Sequence, residues 1–346
     1  MTTRWPETFN KSHSADSQAV IHNQPCGVAG RQKFISIQEY SGRPHRFLNH
    51  LVYSSIFFLF LCLFFSLPRA DAKFYNLPEN ETATNTPLLP STYGKVIYSY
   101  NENSPKKLYI IGINHRNSQS RLNGDKTAKV QAEVYRIGEW LSRNNKLDVI
   151  LPEGFFSSAS AVTELQPVAQ RASLDNNLLE QKLADDSCFV NAEMLLMEHF
   201  QMPACQVEDR QMYDAVLNAA VQLKAKADDP AACQSLIAEI DYLQEKRTAA
   251  ILQKIPEVVK ERFLNGSIKS ENALFTIGLN HIITIINFLE QKAIHIQPPS
   301  SNPPAKEDDV ADLKLLKEGF GIIIIIPQTL VQDQTIMKMT KLIGCI

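Results

Sequence analysis

Two stretches of the sequence, "LYIIGINHR" at residues 108–116 and "LFTIGLNHI" at residues 274–282, share one arrangement of residue types. In both, an apolar run ends in Ile-Gly, and Asn-His follows after one further residue. A short apolar run that stops at glycine is typical of a buried strand. In open α/β sheets, ligands bind beyond the carboxyl ends of the strands. The repeat therefore predicts two strands that present His115 and His281 to one crevice.

The residues around each histidine have a physical role in this interpretation. Glycine permits a tight exit from the strand, and Asn280 is a good N-cap for a helix that has His281 in its first turn. The positive end of a helix favours the neutral imidazole, which is the form that a metal ligand or a general base requires. The loop "RNSQSRLNGD" at 116–125 is longer, so the same argument is weaker for His115.

Two other predicted strands end in charged residues. "LDVILPEG" at 147–154 is a buried-strand pattern that stops at Glu153, and "PACQVEDR" at 203–210 ends in a charged run that closes with Arg210. One strand-end histidine is more often structural than catalytic, but two in repeated settings, with a carboxylate at the end of a third strand, favour a functional site. The candidate site residues are His115, His281, Glu153 and Arg210.

The first part of the folded region predicts a strand, a helix and a strand. "GKVIYSY" at 94–100 and "KKLYIIG" at 106–112 are separated by a short polar turn, which predicts a β-hairpin. Apolar residues recur at helical spacing over 124–144 and predict an amphipathic helix. The strand at 147–154 then completes a βαβ unit, in which we expect a parallel pair of strands.

The second part of the chain alternates helical segments with two more strands. The segment 211–264 predicts a long helix that bends or breaks near Pro256. We also predict helices over most of 158–200 and over 280–292, strands at 272–278 and 319–327, a Pro-rich loop at 297–312 and a C-terminal tail at 331–346. The expected fold class is α/β over 94–330, with a central mixed sheet of two pseudo-symmetric halves and a large helical insertion.

An uncharged apolar run occupies 51–67, with basic residues before it and "ADA" after it. These are the parts of a secretory signal, which we predict within 47–72, although the run is also long enough for an uncleaved membrane anchor. The polar segment 1–46 is interpreted as a disordered extension or as the product of a start codon assigned too far upstream. Residues 73–93 are rich in Pro, Asn and Thr and predict a linker. Either interpretation of the apolar run places the domain outside the cytoplasm, periplasmic or secreted.

The bulk composition is that of an ordinary globular protein. The chain has 346 residues, of which 44% are hydrophobic and 21% are charged, and its formal net charge is −2. A nucleic-acid-binding domain would normally be basic, so we predict no nucleic-acid partner. The expected partner is a peptide or small-molecule substrate, with membrane contact only through 51–67 if that segment is not cleaved.

Four cysteines follow the leader, and two interpretations of them stay open. In an oxidising compartment, Cys188, Cys205, Cys233 and Cys345 can form two disulfides in three possible pairings. Some of them are equally well explained as buried free thiols. Their spacing matches no zinc-binding pattern such as C-x2-C.

Taken in order, these motifs resemble the TraB/GumN family, whose superfamily includes the TIKI (Wnt-cleaving) proteases, the haem-binding ChaN proteins and the erythromycin esterases. The resemblance spans 94–330. It consists of a G-x-x-H after the first strand, a Glu after the second, an acidic-Arg pair after a middle strand, "EKRTAAIL" in the helical segment and a second G-x-x-H near the end. The chain departs from the commonest first motif, because Ile113 stands where a small hydroxyl residue usually follows the glycine.

The resemblance implies a pseudo-symmetric α/β fold with a cleft between its halves and, as in the TIKI branch, a divalent-metal-dependent peptidase. It places the two family histidines at His115 and His281, the glutamate at Glu153 and the arginine at Arg210. A further arginine of the helical segment corresponds to Arg247.

The main hypothesis is a secreted or periplasmic metal-dependent hydrolase that acts on a peptide. His115 and His281 would hold a divalent ion, with Glu153 as a third ligand or as the base for its water, and mixed N/O ligation suits manganese, cobalt or zinc. Arg210 would stabilise the oxyanion of the reaction. One alternative is a non-catalytic protein that binds haem, iron or a short signalling peptide. Another is a metal-free hydrolase in which a histidine is the general base.

Overall fold

The computed structural model of the chain describes residues 89–114, 125–156, 173–184, 190–296 and 311–340, together with Leu342. The residues of interest that lie outside these ranges are His115, Cys188, Cys345, the apolar run at 51–67 and most of the Pro-rich loop. Within the described ranges, none of the helices combines the length and the apolar character that crossing a membrane requires.

The main sheet has five strands, which are β1 (Gly94–Tyr100), β2 (Lys107–Ile113), β3 (Val149–Pro152), β4 (Ala273–Gly278) and β7 (Gly321–Pro327). A separate ribbon is formed by β5 (Ala293–Ile294) and β6 (Ala311–Asp312). The order in the main sheet is β1-β7-β2-β4-β3. β1 is antiparallel to β7, and the other neighbours are parallel. This mixed sheet confirms the predicted α/β class, whereas the pseudo-symmetry of two halves stays a prediction.

The helices of the described ranges are α1 (Asp125–Asn145), α2 (Asn176–Ala184), α3 (Ala192–Phe200), α4 (Arg210–Ala225), α5 (Pro230–Leu264), α6 (Ile282–Gln291), α7 (Lys314–Lys317), α8 (Gln328–Val331) and α9 (Gln334–Met339). α1 matches the helix predicted over 124–144, and it packs with α2, α3 and α8. α5 packs with α4, α6 and α7. α2 to α5 follow β3 and precede β4, so they form the predicted helical insertion.

β7 is an interior strand of the sheet, and both of its faces are buried. Every residue from Gly321 to Pro327 is buried, and its run of isoleucines has the β-branched side chains that strands favour. A strand that is apolar on both faces needs cover on each face, which elements packed on the two sides of a sheet provide. The predicted hairpin between 94–100 and 106–112 is therefore wrong, because β7 lies between these two strands and pairs with both.

The connection from β1 to β2 passes over the beginning of β7. Ser104 Oγ donates to the carbonyl of Gly319 over 2.7 Å, and the Gly321 amide donates to the carbonyl of Lys106 over 2.9 Å. A Cβ atom on Gly321 would lie 2.5 Å from the carbonyl oxygen of Asn101. Glycine is required at this position because two backbone segments approach each other closely.

The two repeated stretches lie side by side in the sheet. β2 and β4 are parallel neighbours, with Ile113 opposite Gly278 at their carboxyl ends. β3 pairs with the other edge of β4, with Pro152 opposite Thr276. The parallel direction predicted for the βαβ unit is confirmed, but its two strands are not adjacent, because the fully buried β4 lies between them. The carboxyl ends of three strands thus meet at one edge of the sheet.

The strand predicted at 203–210 is reduced to a single bridge. Ala204 is paired with Ile150 of β3 in the parallel direction. The Ile150 amide donates to the Pro203 carbonyl over 3.0 Å, and the Cys205 amide donates to the Ile150 carbonyl over 2.9 Å. Because β3 has only four residues, it offers few backbone groups for a longer pairing. The residues after the bridge still continue toward the edge where β3 ends.

The long helical segment breaks at a different place from the predicted one. α4 ends at Ala225 and α5 begins at Pro230, where the Asp229 side chain accepts a hydrogen bond from the Ala232 amide. A capping Asp followed by Pro is a favourable helix start. Pro256 lies inside α5 and is buried, so the helix does not break there, and the predicted bend stays a prediction. Tertiary packing of an apolar face stabilises a helix more than local propensity does.

Cys205 and Cys233 are buried free thiols. Cys233 Sγ donates to the carbonyl of Lys226 over 3.1 Å, and burial raises the pKa of the Cys205 thiol. For these two cysteines, the buried-thiol interpretation is confirmed. The two-disulfide interpretation requires both of them to be bonded and is therefore wrong.

We expect Gly321→Ala to lower the free energy of unfolding by about 1–3 kcal/mol, because the added Cβ would overlap a backbone carbonyl. The measurement is urea unfolding followed by circular dichroism. Asn280→Ala is the control, since Asn280 is exposed and its side chain caps no helix. We expect this control to change the free energy of unfolding by less than about 0.5 kcal/mol. Equal stabilities of the two variants would contradict the close backbone approach at Gly321.

Candidate functional site

A buried arginine lies between two buried glutamates at the carboxyl edge of the sheet. Arg247 Nη2 donates to Glu153 Oε1 over 2.6 Å, and Arg247 Nε donates to Glu208 Oε1. The side chains of Arg247, Glu153 and Glu208 are 7%, 7% and 0% exposed. Glu153 directly follows β3, Glu208 follows the Ala204 bridge, and Arg247 belongs to α5. We refer to Glu153, Glu208 and Arg247 as the ion cluster.

The second oxygen of each carboxylate accepts a backbone hydrogen bond. Glu153 Oε2 accepts from the Gly278 amide at the end of β4. Glu208 Oε2 accepts from the Gly154 amide over 2.6 Å. Gly154 has a φ of 71°, which is the left-handed region that glycine adopts without strain. The Pro-Glu-Gly sequence at the end of β3 therefore makes a turn in which the Glu153 side chain reaches the end of β4.

The ion cluster carries one net negative charge when both carboxylates are ionised. Burial by itself lowers the pKa of Arg247, but the Glu153 and Glu208 carboxylates outweigh it and raise this pKa above its usual value. Arg247 is therefore protonated and balances one of the two carboxylates. Charges away from water are tolerated when they are paired and hydrogen-bonded.

His281 lies beside the Glu153 carboxylate. Its Nε2 is 3.6 Å from Glu153 Oε1, its Nδ1 is 2.7 Å from Thr248 Oγ1 in α5, and the residue is 5% exposed. A separation of 3.6 Å is too long for a direct hydrogen bond. It is compatible with an ion pair or with two atoms that share a bound cation. The structure thus brings together two of the predicted site residues, His281 and Glu153.

The path of the chain to His281 differs from the predicted one. β4 is followed by a short 3-10 turn, Leu279–His281, and α6 begins only at Ile282. Asn280 is exposed within this turn, so its predicted role as the helix N-cap is wrong. His281 occupies the capping position and makes no side-chain cap bond. Both of its ring nitrogens are therefore used for contacts with other parts of the fold.

Arg210 lies outside the ion cluster. It is the first residue of α4, its side chain is 46% exposed, and its Nε donates to both carboxylate oxygens of Asp214 over 3.0 Å. The Asp209 side chain accepts hydrogen bonds from amides in the first turn of α4. As the chain enters α4 at this turn, Glu208 stays buried and Arg210 becomes exposed. Arg247, the other arginine that the family resemblance indicated, is the one within the cluster.

Glu208 and Thr248 are site residues that the sequence reasoning did not select. The available signal for Glu208 was its position between an apolar run and an Asp that caps the next helix. Thr248 gives no local signal, because its partner His281 is remote along the chain and only the packing of α5 brings them together.

Two aromatic rings extend from the ion cluster toward the surface. The Tyr213 ring centre lies 5.1 Å from the Arg247 guanidinium, and the ring meets Phe156 edge-on with 5.3 Å between centroids. The Arg210 guanidinium lies 4.8 Å from the Phe156 ring centre. Both guanidinium groups are within the range of a cation–π interaction. Burial raises the pKa of Tyr213, although Arg247 opposes this effect. This aromatic row connects the exposed Arg210 with the buried Arg247.

His281 Nε2 and Glu153 Oε1 are donor atoms of the kinds that manganese, cobalt and zinc accept. Two coordination bonds of about 2.0–2.2 Å can span the 3.6 Å between them. In the part of the chain that the structure describes, no three His, Cys, Asp or Glu side chains are grouped to hold a metal. His115, the other histidine predicted to hold the ion, lies outside that part. Just before it, Asn114 has a buried side-chain oxygen that accepts no hydrogen bond from the described residues. The donor chemistry fits a divalent ion, for which His281 and Glu153 would be two ligands.

Comparison with known proteins identifies no relative, because no protein-family model, no curated protein and no solved structure matches this chain. The resemblance to the TraB/GumN family stays a prediction. Function is therefore inferred from the geometry and chemistry of the site.

Replacing Arg247 by methionine should lower the free energy of unfolding by about 3–5 kcal/mol, because two buried carboxylates lose their cationic partner. The measurement is urea unfolding at neutral pH. Arg210→Met is the matched control, since the exposed pair that Arg210 forms with Asp214 contributes only about 0.3–0.5 kcal/mol. If both variants unfold at the same urea concentration, the ion cluster does not hold the sheet edge together.

Proposed function

We propose that the chain is a metal-dependent hydrolase that acts on a peptide substrate. The observation that supports this proposal is the position of His281 Nε2, 3.6 Å from a Glu153 carboxylate that Arg247 and the Gly278 amide hold in place. An imidazole and a fixed carboxylate at the carboxyl edge of parallel strands are components that such an enzyme needs. The family resemblance favours the same reaction class. The apolar run at 51–67 favours a location outside the cytoplasm.

The metal ion, when bound, would polarise the substrate carbonyl and make a water molecule more acidic. His115 and His281 would hold the ion, with Glu153 as a third ligand or as the base for its water. Because both oxygens of Glu153 accept hydrogen bonds from the protein, the carboxylate keeps one orientation. Preorganised ligands of this kind avoid a reorganisation cost during the reaction.

The proposed oxyanion role of Arg210 requires its side chain to leave Asp214. The pair is exposed on both sides, at 46% and 43% of the side-chain surface, and exposed pairs of this type are weak. A developing oxyanion on a substrate can therefore compete with Asp214 for the guanidinium. Arg247 already donates to Glu208 through Nε and to Glu153 through Nη2, so its positive charge is paired within the cluster.

Two other functions use the same residues. A metal-free hydrolase would use His281 as a general base, which needs the ring nitrogen next to Glu153 to be unprotonated. A non-catalytic protein would bind a small cation or iron at His281 and Glu153 without turnover. Haem is less well supported, because an axial histidine must reach a large planar ring and His281 is 5% exposed.

The proposal is tested by titrating the full chain with Mn²⁺, Co²⁺ and Zn²⁺ in a calorimeter and by assaying a peptide library. We expect one of these ions to bind. We expect His281→Ala to weaken its binding by more than about 100-fold, since even residues that only support a metal ligand contribute about 10–100-fold. Peptide hydrolysis should stop when a chelator is added and return when the metal is restored.

His295→Ala is the control for this experiment, because His295 is a half-buried histidine after β5 that is not part of the cluster. We expect its metal affinity to equal that of the parent chain. Hydrolysis that persists in chelator would select the metal-free mechanism, and binding without hydrolysis would select the non-catalytic alternative. If neither His115→Ala nor His281→Ala changes the metal affinity, the ion does not bind at this site.

A further inference from the structure

We propose that Thr248 is a positioning residue that sets the protonation pattern of His281, with the hydrogen on Nδ1 and with Nε2 facing Glu153. Thr248 directly follows Arg247 in α5 and is fully buried. Its Oγ1 makes two contacts of 2.7 Å, one with His281 Nδ1 and one with the Gln244 carbonyl oxygen.

Counting protons assigns the direction of both contacts. A threonine hydroxyl has one hydrogen to donate, and the carbonyl of Gln244 has none. If the hydroxyl donated to Nδ1, two oxygens would face each other at 2.7 Å with no hydrogen between them. If it donates to the Gln244 carbonyl, it can accept a hydrogen from Nδ1, and both contacts become hydrogen bonds. Nδ1 of His281 is therefore the protonated nitrogen of the neutral ring.

The Thr248 hydroxyl is held in the orientation that this role requires. The side chain is β-branched and therefore stiff about its first torsion angle. In a helix, a threonine hydroxyl commonly donates to the carbonyl four residues earlier, and Gln244 is that residue. Because Thr248 is fully buried, water does not compete with the imidazole for its lone pairs.

α5 therefore positions two groups beside Glu153 Oε1, which are the guanidinium of Arg247 and the imidazole of His281. Arg247 donates directly to Glu153 Oε1, and Thr248 orients the imidazole whose Nε2 faces the same oxygen. In a neutral histidine, the hydrogen bond made by one nitrogen determines whether the other presents a lone pair. With Nδ1 protonated, Nε2 presents its lone pair. The use of that lone pair as a metal ligand or base rests on the proposed function, whereas the protonation pattern does not.

The test is nuclear magnetic resonance of the full chain labelled with ¹⁵N in its histidines, at an alkaline pH where imidazoles are neutral. The chain has 8 histidines, and the signals of His281 are identified by their loss in His281→Gln. We expect the Nδ1–H form of His281 to exceed the Nε2–H form by about tenfold or more, because the Nε2–H form would lose the buried hydrogen bond from Nδ1 to Thr248. An excess of the Nε2–H form in the parent chain would overturn the proposal.

Two variants of Thr248 separate its hydroxyl from its packing. Thr248→Val keeps the branched shape without the hydroxyl, so we expect the ratio of the two forms to fall by about tenfold or more. Thr248→Ser restores a hydroxyl, and we expect it to return the ratio toward that of the parent chain. An unchanged ratio in Thr248→Val would overturn the proposal. Because no metal or substrate is needed, this result is independent of whether the chain proves to be a hydrolase.

Discussion

The pairing of Arg247 with Glu153 and Glu208 is the interaction on which the sheet edge depends. None of these three charges can be buried alone without a large desolvation penalty, so all three must be in place together. They come from the turn after β3, from the segment after the Ala204 bridge and from the middle of α5. The backbone bonds from Gly154 and Gly278 then fasten the ends of β3 and β4 to the same cluster. The helical insertion is thereby joined to the sheet by charge as well as by apolar packing.

The same arrangement prepares the surroundings of His281 for chemistry. Its ring lies between Thr248 and the fixed Glu153 carboxylate, so neither nitrogen faces an apolar wall. The ion cluster has one carboxylate more than it has guanidinium groups, and the oxygen that Arg247 contacts is also the one nearest to the imidazole. A fixed carboxylate beside an imidazole offers donor atoms of the kinds that divalent cations accept. Structural stabilisation and the proposed function therefore use the same residues.

Much of the fold could be predicted from the sequence where the determining forces are local. β4, β7 and α1 were predictable because a continuous apolar run or a helical stripe reports burial directly. The hairpin prediction failed because neighbours along the chain need not be neighbours in the sheet, and β7 lies between β1 and β2. The N-cap prediction for Asn280 failed because a 3-10 turn comes before α6. Each of these failures concerns a choice among locally acceptable alternatives.

For the candidate site, the sequence could predict that polar side chains, Glu153 and His281 among them, follow buried strands. It could do so because the change from apolar to polar residues marks the end of a strand wherever the strand lies. It could not predict that Arg247 enters the cluster while Arg210 stays at the surface, or that Thr248 contacts the imidazole, because these contacts depend on how α5 packs against the sheet. The physical reason is that a charge or a hydrogen bond acts over a few ångströms in space. The separation of residues along the chain does not report that distance.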